Sequence, residues 1–256
     1  MSKIEELIKG LDRIKISVIM QVNLQEYPGS RKEAIHKFHR AVDSFKKQLY
    51  PNTELIIVSD GDNKVHQLYS RSHTEDPNIK FIFFDRTNTP KMYEELENGI
   101  YYRGVAREIG RSIATGAVIT YMDSDDILMP AFTLTHMLSY NSDPSKDFWL
   151  NRAWIDNTQG QTAEHDLIEN VNSDILRFES IGSTWKEVQL KDRNMVASPW
   201  LLSHKKDVSV KWRDVISFEA SEDTDFVSRL AQSYPNFGTT SKAVYVRCHY
   251  KDLWDY

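Results

Sequence analysis

Apolar residues follow two different periods in the first half of the chain, and together these periods predict a layered α/β fold. Four short apolar, β-branched runs have the length of buried strands, at 14–22, 54–59, 79–84 and 118–122. Apolar residues recur at helical spacing in the segments around them, at 2–13, 31–48, 64–71 and 105–114. Gly116 follows the last of these helices as a C-terminal glycine stop. Strands that alternate with helices predict a mostly parallel central sheet with helices on both faces.

The second half of the chain has a less regular pattern. Helices and strands are predicted there at 131–140, 147–155, within 195–204, from Glu222 onward and at 242–249. The polar stretch 159–193 shows no clear period. Because no repeat or linker interrupts the chain, we expect a single domain in which 14–130 forms one half and 131–256 the other, more irregular half.

Composition and charge narrow the class of protein. The chain has 256 residues, of which 40% are hydrophobic, which is enough for a substantial core. A formal net charge of −5, without any dense basic stretch, argues against nucleic acid as a partner. The single cysteine, Cys248, excludes an internal disulfide and a zinc site built from cysteines.

The apolar segments are short throughout. No run approaches the roughly 20 residues that span a bilayer, so we expect no transmembrane segment. The charged start of the chain lacks the apolar core of a signal peptide. We therefore expect a soluble, cytoplasmic protein, with peripheral membrane attachment through Trp254 and Tyr256 as the alternative. The pattern gives no indication of oligomeric state.

Three carboxylates follow the strand 118–122 directly, at Asp123, Asp125 and Asp126. Open α/β sheets bind their ligands at the carboxyl ends of the strands, which is where these acids fall. If the chain stays extended, Asp123 and Asp125 point the same way and repel each other unless a cation or hydrogen-bond donors compensate them. Such an oxygen-rich site suits Mg²⁺ or Mn²⁺ shared with a diphosphate. The alternative is that Asp123 caps the next helix and the other two acids are solvated in a loop.

Five stretches, in the correct order and spacing, resemble the family 2 glycosyltransferases with the GT-A fold, at 16–20, 55–62, 104–116, 122–130 and 221–226. The fourth stretch, Met-Asp-Ser-Asp-Asp-Ile-Leu-Met-Pro, is similar to the family's Asp-x-Asp motif almost letter for letter. The chain departs from the family pattern at three places. Glu108 stands where the family has asparagine, Ser59 replaces the first acid of an Asp-Asp-Gly-Ser turn, and a Gln-Val-Asn loop at 21–23 replaces Thr/Pro-x-Tyr-Asn.

The resemblance implies roles for residues on the donor side of the site. It implies that Asp125 binds Mn²⁺ or Mg²⁺ at the donor diphosphate and that Asp123 contacts the ribose or the metal's shell. It places Asp60 against the donor's base, where a carboxylate accepts from an imide N–H and favours uracil or thymine. Arg107 is a phosphate-binding candidate, with an exposed position on the helix surface as the alternative. Gln21 is a further nucleotide-binding candidate.

The resemblance also implies a general base and a second metal-site candidate. Asp223 would remove the proton of an acceptor hydroxyl, although acids in a helix's first turn also serve the helix dipole. His249 would complete the metal site or face the diphosphate, a task that Arg247 could share. Asp126 is expected to cap the helix that follows.

These roles together imply a metal-dependent glycosyltransferase that moves a sugar from a nucleotide-sugar, with UDP favoured, to an acceptor hydroxyl with inversion. A nucleotidyltransferase is the first alternative, but it needs a Gly-rich basic loop after the first strand, and 23–30 offers only Gly29. A calcium-binding EF-hand fails because Leu128 and Leu134 stand where glycine and glutamate are required. A catalytically inactive relative stays open, as do the donor sugar and the acceptor.

Overall fold

The computed structural model describes the backbone over much of the chain, at 3–11, 13–22, 24, 33–60, 65, 67, 76–84, 103–150, 153–156, 163–166, 175–178, 186–189, 202–213, 222–239 and 245–247. Five helices are assigned in these ranges, namely α1 (Lys3–Leu7), α2 (Ala34–Lys46), α3 (Arg103–Ile113), α4 (Phe132–Ser142) and α5 (Glu222–Ser233). None of these described helices is long and apolar enough to span a bilayer.

A seven-stranded sheet forms the centre of the described structure, in the order β12-β6-β11-β4-β1-β2-β3. Its strands are β1 (Ile16–Val22), β2 (Thr53–Asp60), β3 (Ile79–Phe84), β4 (Val118–Asp123), β6 (Phe148–Leu150), β11 (Leu202–Lys205) and β12 (Gly238–Thr239). The strands β4, β1, β2 and β3 are parallel neighbours, whereas β11 runs antiparallel between β4 and β6. The predicted α/β fold with a mostly parallel sheet is confirmed.

Two smaller sheets contain the remaining strands, β5 (Ile127–Leu128), β7 (Ala153–Asp156), β8 (Ala163–Asp166), β9 (Ile175–Phe178), β10 (Lys186–Gln189) and β13 (Tyr245–Arg247). One pairs β9 with β10, and the other has the order β5-β13-β7-β8. The second sheet brings β13, from the end of the chain, beside β5, which follows the acids of β4. Three of these strands lie in the polar stretch 159–193, which showed no period because short strands leave little pattern.

Both faces of β1 are buried, and its alternating side chains enter two different cores. Ile19 belongs to a core that includes Phe148, Trp212 and Phe226. Its neighbours on the strand belong to a second core, which contains Phe38 of α2 and side chains from α4 and β13. The mostly apolar run at 14–22 is therefore explained, since neither face of a strand that is covered on both sides is exposed to water.

Two glycines allow α3 and the chain after it to approach the sheet closely. A Cβ on Gly110 would lie 2.6 Å from Cγ2 of Ile19, so glycine lets α3 pack directly on β1. A Cβ on Gly116 would lie 2.6 Å from Oγ of Ser17. Gly116 is not the left-handed helix stop that the sequence predicted, because its φ is not positive. Close approach to β1 is the reason for glycine at this position.

Several element boundaries differ from the sequence-based prediction. The first helix covers Lys3–Leu7 rather than 2–13, and the strand predicted at 147–155 is divided into β6 and β7. Most of the helix predicted over 64–71 lies outside the described residues, apart from helical positions 65 and 67. The other predicted helices and strands are present within a few residues of their predicted bounds.

Candidate active site

The carboxyl ends of the parallel strands β1, β2 and β4 lie at one edge of the sheet. Gln21 is in register with Asp123 on one side and with Val58 on the other. Gln21 and Val22 belong to β1, as the predicted strand at 14–22 requires, although the family comparison had described 21–23 as a loop, and Gln21 is buried. Its position at the edge keeps it a nucleotide-binding candidate. Asp60 ends β2 at this edge, as predicted from the apolar run before it, although its side chain lies outside the described residues.

The residues Asp123–Asp126 form a tight turn, here called the acidic turn. The Asp126 N–H donates to the Asp123 carbonyl at 3.3 Å, and Nη2 of Arg40, on α2, donates to the Asp125 carbonyl at 2.6 Å. The hydroxyl of Tyr245 donates to Oδ2 of Asp126 at 2.8 Å and accepts from the Asp123 N–H at 3.0 Å. The turn is therefore held by α2 on one side and by β13 on the other.

Asp126 does not cap the helix after the acidic turn, as the sequence had suggested. That helix, α4, begins at Phe132, and its N-cap position is Ala131, which makes no side-chain cap. The strand β5 separates Asp126 from the helix, and the Asp126 carboxylate accepts the Tyr245 hydroxyl instead. The alternative that Asp123 caps the helix is wrong for the same reason.

Arg107 joins acids from three places in the sequence. Its guanidinium donates to Oδ1 of Asp223 at 2.8 Å and Oε1 of Glu222 at 3.0 Å through Nη1, and to Oδ1 of Asp123 at 3.3 Å through Nη2. Its side chain also lies over the ring of Trp212, with the guanidinium carbon 4.9 Å from the ring centroid. Only 2% of Arg107 is exposed, so the alternative of an exposed helix-surface arginine is wrong.

Electrostatics explains why a buried guanidinium is tolerated here. Burial alone would lower the pKa of Arg107, but the charges of Asp223, Glu222 and Asp123 outweigh burial and raise it. The guanidinium therefore stays charged and keeps the first turn of α5 next to the acidic turn. Paired carboxylates also satisfy its donors, as a buried arginine requires.

At Asp125, in contrast to Arg107, the neighbouring charges do not outweigh the effect of burial on the pKa. Burial is the largest effect on its pKa, and the neighbouring Asp123 charge adds to it, so the pKa rises to about 6. Lys37 and Arg40, both on α2, offset part of this increase. Two neighbouring carboxylates that are incompletely compensated fit a hard divalent cation. Within the described residues no group of three or more His, Cys, Asp or Glu side chains could hold a metal ion, so further ligands would have to come from a substrate or water.

A hydrogen-bonded aromatic cluster supports Trp212 beneath Arg107. The indole N–H of Trp212 donates to the Tyr121 hydroxyl at 2.7 Å, and that hydroxyl donates to Nε2 of His204 at 2.7 Å. Nδ1 of His204 donates to the Lys205 carbonyl at 2.6 Å, which assigns the neutral tautomer. The ring of Trp212 stacks on Phe226 of α5 with centroids 4.0 Å apart. Trp212 is thus a buried packing residue.

Glu108, one of the three departures from the family pattern, fixes the backbone that carries Trp212. Its Oε2 accepts the Trp212 backbone N–H at 3.0 Å. Its neighbour Arg111 donates to the carbonyls of Val208 and Val210 and, at 3.4 Å, to Oε2 of Glu108. The sequence showed that Glu108 departs from the family pattern. It could not show the role of Glu108, because its partner Trp212 lies 104 residues away.

The structure therefore brings together Arg107, Asp123 and Asp223, with Asp125 in the same turn as Asp123. Glu222, which the sequence predicted only as the start of a helix, joins the same cluster. The predicted metal candidate His249 lies outside the described residues, and for Arg247 only the backbone in β13 is described.

Comparisons with known proteins point to one class of enzyme. No protein-family model matches the chain. A curated relative from Escherichia coli (strain K12), "Uncharacterized glycosyltransferase YibD", is 24% identical over 178 residues, which are 68% of this chain and 46% of the relative. The crystal structure of S. aureus TarS 1–349 in complex with UDP-GlcNAc matches with a TM-score of 0.60 and 16% identity, covering 92% of this chain and 59% of that one. Its complex with UDP matches with a TM-score of 0.58 and 15% identity, covering 92% and 61%.

The chain thus spans about half to three fifths of the length of these proteins. At this level of identity the structural matches establish the fold, and they confirm the resemblance to the GT-A glycosyltransferase fold over nearly the whole chain.

Proposed function

We propose that this protein is a glycosyltransferase that uses a divalent metal ion and moves a sugar from a UDP-sugar to an acceptor hydroxyl, with inversion at the anomeric carbon. One observation carries the proposal. Arg107 links Asp123, in the acidic turn, to Asp223, at the start of α5, at the ligand-binding edge of the sheet. The acid expected at the donor and the acid expected at the acceptor are therefore bonded to the two terminal nitrogens of one guanidinium.

The comparisons support the class of donor. The matching TarS structures contain UDP or UDP-GlcNAc, and the curated relative is named a glycosyltransferase. Asp60 lies at the tip of β2, and a carboxylate there would accept the imide N–H of uracil. Gln21, at the end of β1 between β2 and β4, would face the same nucleotide.

The donor set of the acidic turn fits Mn²⁺ or Mg²⁺. Asp125 and Asp123 would hold the ion, together with phosphate oxygens of the donor, and His249 is a further candidate ligand. A bound ion would supply Lewis-acid stabilisation of the negative charge on the departing diphosphate. Arg107 would add a bidentate donor for the same charge by exchanging one of its carboxylates for phosphate oxygen.

Asp223 would act as the general base in a single displacement. Its carboxylate takes the proton of the acceptor hydroxyl while the hydroxyl oxygen forms a bond to the anomeric carbon. The bond between that carbon and the diphosphate oxygen breaks, and the nucleoside diphosphate leaves with the electron pair. Attack from the face opposite the leaving group inverts the anomeric carbon. Arg107 donates to the Asp223 carboxylate and would hold it in place at the start of α5.

Calorimetric titration of UDP, GDP, dTDP and CDP, with and without Mn²⁺, tests this proposal. UDP is expected to bind most tightly and to need Mn²⁺. In Asp125→Asn the Mn²⁺-supported affinity should fall by about 10- to 100-fold or more, since a ligand of the ion is lost. Asp143→Asn is the matched control, because Asp143 is an exposed acid after α4 that bonds only locally, to Ser145 and Lys146.

Three outcomes would count against parts of the proposal. If no nucleoside diphosphate binds under any condition, the transferase proposal is wrong. If UDP binds equally well without Mn²⁺, the metal requirement is wrong. If another diphosphate is preferred, the assignment of Asp60 to uracil is wrong.

A further inference from the structure

We propose that Tyr245 is a positioning residue that holds the acidic turn in the shape in which Asp123 and Asp125 receive a divalent cation. The inference rests on the proposed function, since it concerns the metal site assigned there. Nothing in the sequence pattern singled out Tyr245, which appeared only as part of a C-terminal strand.

The Tyr245 hydroxyl bonds to both ends of the acidic turn. It accepts the backbone N–H of Asp123 at 3.0 Å and donates to the side chain of Asp126 at 2.8 Å. A single hydroxyl group thus closes the turn from outside. The turn's own backbone bond, from Asp126 to Asp123, is longer at 3.3 Å and contributes less to its shape.

The position of this hydroxyl is itself fixed. Tyr245 is 0% exposed, and its ring lies 5.9 Å from the ring of Phe132, the first residue of α4. Its backbone pairs with Leu128 of β5, and the next residue, Val246, pairs with Ile155 of β7. A strand held on both sides and a buried ring leave the hydroxyl little freedom, so it acts as a rigid support.

The opposite side of the turn is held by α2. Arg40 donates to the Asp125 carbonyl, and Oγ of Ser44 accepts the Leu128 N–H at 3.0 Å. These contacts fix Asp125 and the chain after the turn, but they do not reach Asp123. Tyr245 holds two further groups, the Asp123 backbone N–H and the Asp126 carboxylate. Loss of its hydroxyl should therefore change the spacing of the two metal-binding carboxylates while the sheet itself persists.

Tyr245 is a positioning residue because its hydroxyl bonds to the Asp123 backbone and to the buried Asp126 carboxylate. Asp126 is 2% exposed and is directed to Tyr245, whereas Asp123 and Asp125 are more accessible. Groups that hold metal ligands in place influence metal affinity nearly as strongly as some ligands do, by about 10- to 100-fold. We therefore expect Tyr245 to affect the affinity for the cation more than the stability of the fold.

Tyr245→Phe tests the inference, with Tyr50→Phe as its matched control. Tyr50 is also a buried tyrosine, and its hydroxyl donates to the Ile14 carbonyl at 2.6 Å, near the amino-terminal ends of β1 and β2 and so at the other end of the strands from the acids. Mn²⁺ affinity is measured without nucleotide, from the electron paramagnetic resonance signal of free Mn²⁺, and UDP affinity is measured by calorimetry. Mn²⁺ affinity should fall about 10-fold or more in Tyr245→Phe and should be unchanged in Tyr50→Phe.

Asp126→Ala removes the same hydrogen bond from the turn side and serves as the second variant if Tyr245→Phe does not fold. It should weaken Mn²⁺ binding to a similar degree. The double variant should bind Mn²⁺ no more weakly than the worse single variant, because both changes break the same hydrogen bond between Tyr245 and Asp126. Additive losses would mean that Asp126 acts on the metal by itself, and they would overturn the inference.

The outcomes separate this inference from the proposed function. If Tyr245→Phe binds Mn²⁺ as well as Tyr50→Phe does, the inference is wrong whatever happens with nucleotides. If the wild-type protein binds Mn²⁺ but no nucleoside diphosphate, the proposed function fails and the Mn²⁺ measurements alone decide the role of Tyr245. If the wild-type protein binds neither, both are wrong.

Discussion

The two ends of the central sheet each contain a carboxylate, fully buried for Glu54 and partly buried for Asp125, and their pKa values are shifted in opposite directions. At the amino-terminal end of β2, the pKa of Glu54 is lowered from 4.5 to about 2. At the carboxyl-terminal end of β4, the pKa of Asp125 is raised from 3.8 to about 6. In both cases burial is the largest effect and favours the neutral acid, so the difference must come from the neighbours.

Glu54 has a complete set of donors. Its carboxylate accepts from Lys80 at 2.7 Å, from the Ser17 hydroxyl at 2.6 Å and from the backbone N–H and hydroxyl of Thr115 at 2.6 and 2.8 Å. Lys15 adds an ion pair at 3.2 Å. These partners come from three segments, at β1, in β3 and after α3, so Glu54 in β2 ties all four parts of the structure together.

Asp125 has a second carboxylate, Asp123, as its main electrostatic neighbour, and the cations of α2 compensate it only in part. A fully compensated carboxylate stabilises the fold and has no capacity for a ligand. An incompletely compensated one has that capacity, which is why shifts of this kind accompany functional sites. The comparison predicts that equivalent amide substitutions at the two ends will affect different properties.

The largest expected effect is on catalysis, in Asp223→Asn. Loss of a general base should lower kcat by about 1,000-fold, within the usual range for such catalysis, whereas Mn²⁺-supported UDP binding should change by only a few-fold. Transfer from UDP-GlcNAc to water or to an acceptor library would be followed by UDP release. An amide can still accept from Arg107, so the fold should persist.

Asp225→Asn is the control for that experiment. Asp225 lies two residues further along α5 and is bound by Arg213 and Arg229 rather than by Arg107. It should leave kcat nearly unchanged. Equal loss in both variants would mean that the acids of α5 matter for the helix and not for proton transfer. A wild-type protein that binds UDP but transfers nothing would identify a catalytically inactive relative.

The second effect, on stability, is expected at the other end of the sheet. Glu54→Gln should lower the free energy of unfolding by on the order of 3 kcal/mol at pH 7, because a pKa of about 2 instead of 4.5 reflects that much stabilisation of the charged form. A lowered carboxylate pKa stabilises the fold above pH 4.5, and this stabilisation is lost as the pH falls toward 2. Urea unfolding at pH 7 and at pH 3 should therefore show a smaller difference between wild type and variant at pH 3.

Asp125→Asn is the comparison at the site itself. Because burial and the Asp123 charge already disfavour the ionised form of Asp125, this substitution should cost less than about 1 kcal/mol at pH 7. Glu54→Gln should in turn leave Mn²⁺-supported UDP binding unchanged. Equal destabilisation by the two substitutions would contradict the distinction between the two ends.

The sequence was informative where a signal was local. The strands followed from short, mostly apolar runs such as 79–84, which matches β3 residue for residue. The acids of the site followed from their position directly after a strand. Contacts between distant residues could not be predicted, because no local period records them. Arg107 and Asp223 are separated by 116 positions, and Asp126 and Tyr245 by 119. The contacts of Glu108 and Tyr245 therefore emerged only from the structure.

The smallest expected effect concerns two buried histidines, which extend the comparison to a second kind of side chain. Burial lowers the pKa of both His136, on α4, and His204, on β11, to about 3. The ring nitrogens of His204 are bonded to Tyr121 and Lys205. Among the described residues neither ring nitrogen of His136 has a partner, and its ring packs edge-on against Phe132. Among the described residues, the ring nitrogens of His204 therefore have hydrogen-bond partners and those of His136 do not.

His136→Leu should therefore leave stability at pH 7 unchanged or raise it by about 1 kcal/mol, since it removes buried polar atoms that lack hydrogen bonds. It should also reduce acid sensitivity. A histidine whose folded pKa is lowered has no pH-dependent effect on stability above its unfolded pKa of 6.5, and it lowers the free energy of unfolding as the pH falls from 6.5 toward 3, by up to about 1.4 kcal/mol per pH unit. Between pH 7 and pH 5, the free energy of unfolding measured with urea should depend less steeply on pH in the variant than in the wild type.

His204→Phe should also reduce this pH dependence, but it should lower the free energy of unfolding at pH 7, because it leaves the Tyr121 hydroxyl and the Lys205 carbonyl without their partner. If both substitutions destabilise the protein equally at pH 7, hydrogen-bond compensation does not distinguish the two histidines, and the same argument for Glu54 and Asp125 loses its support.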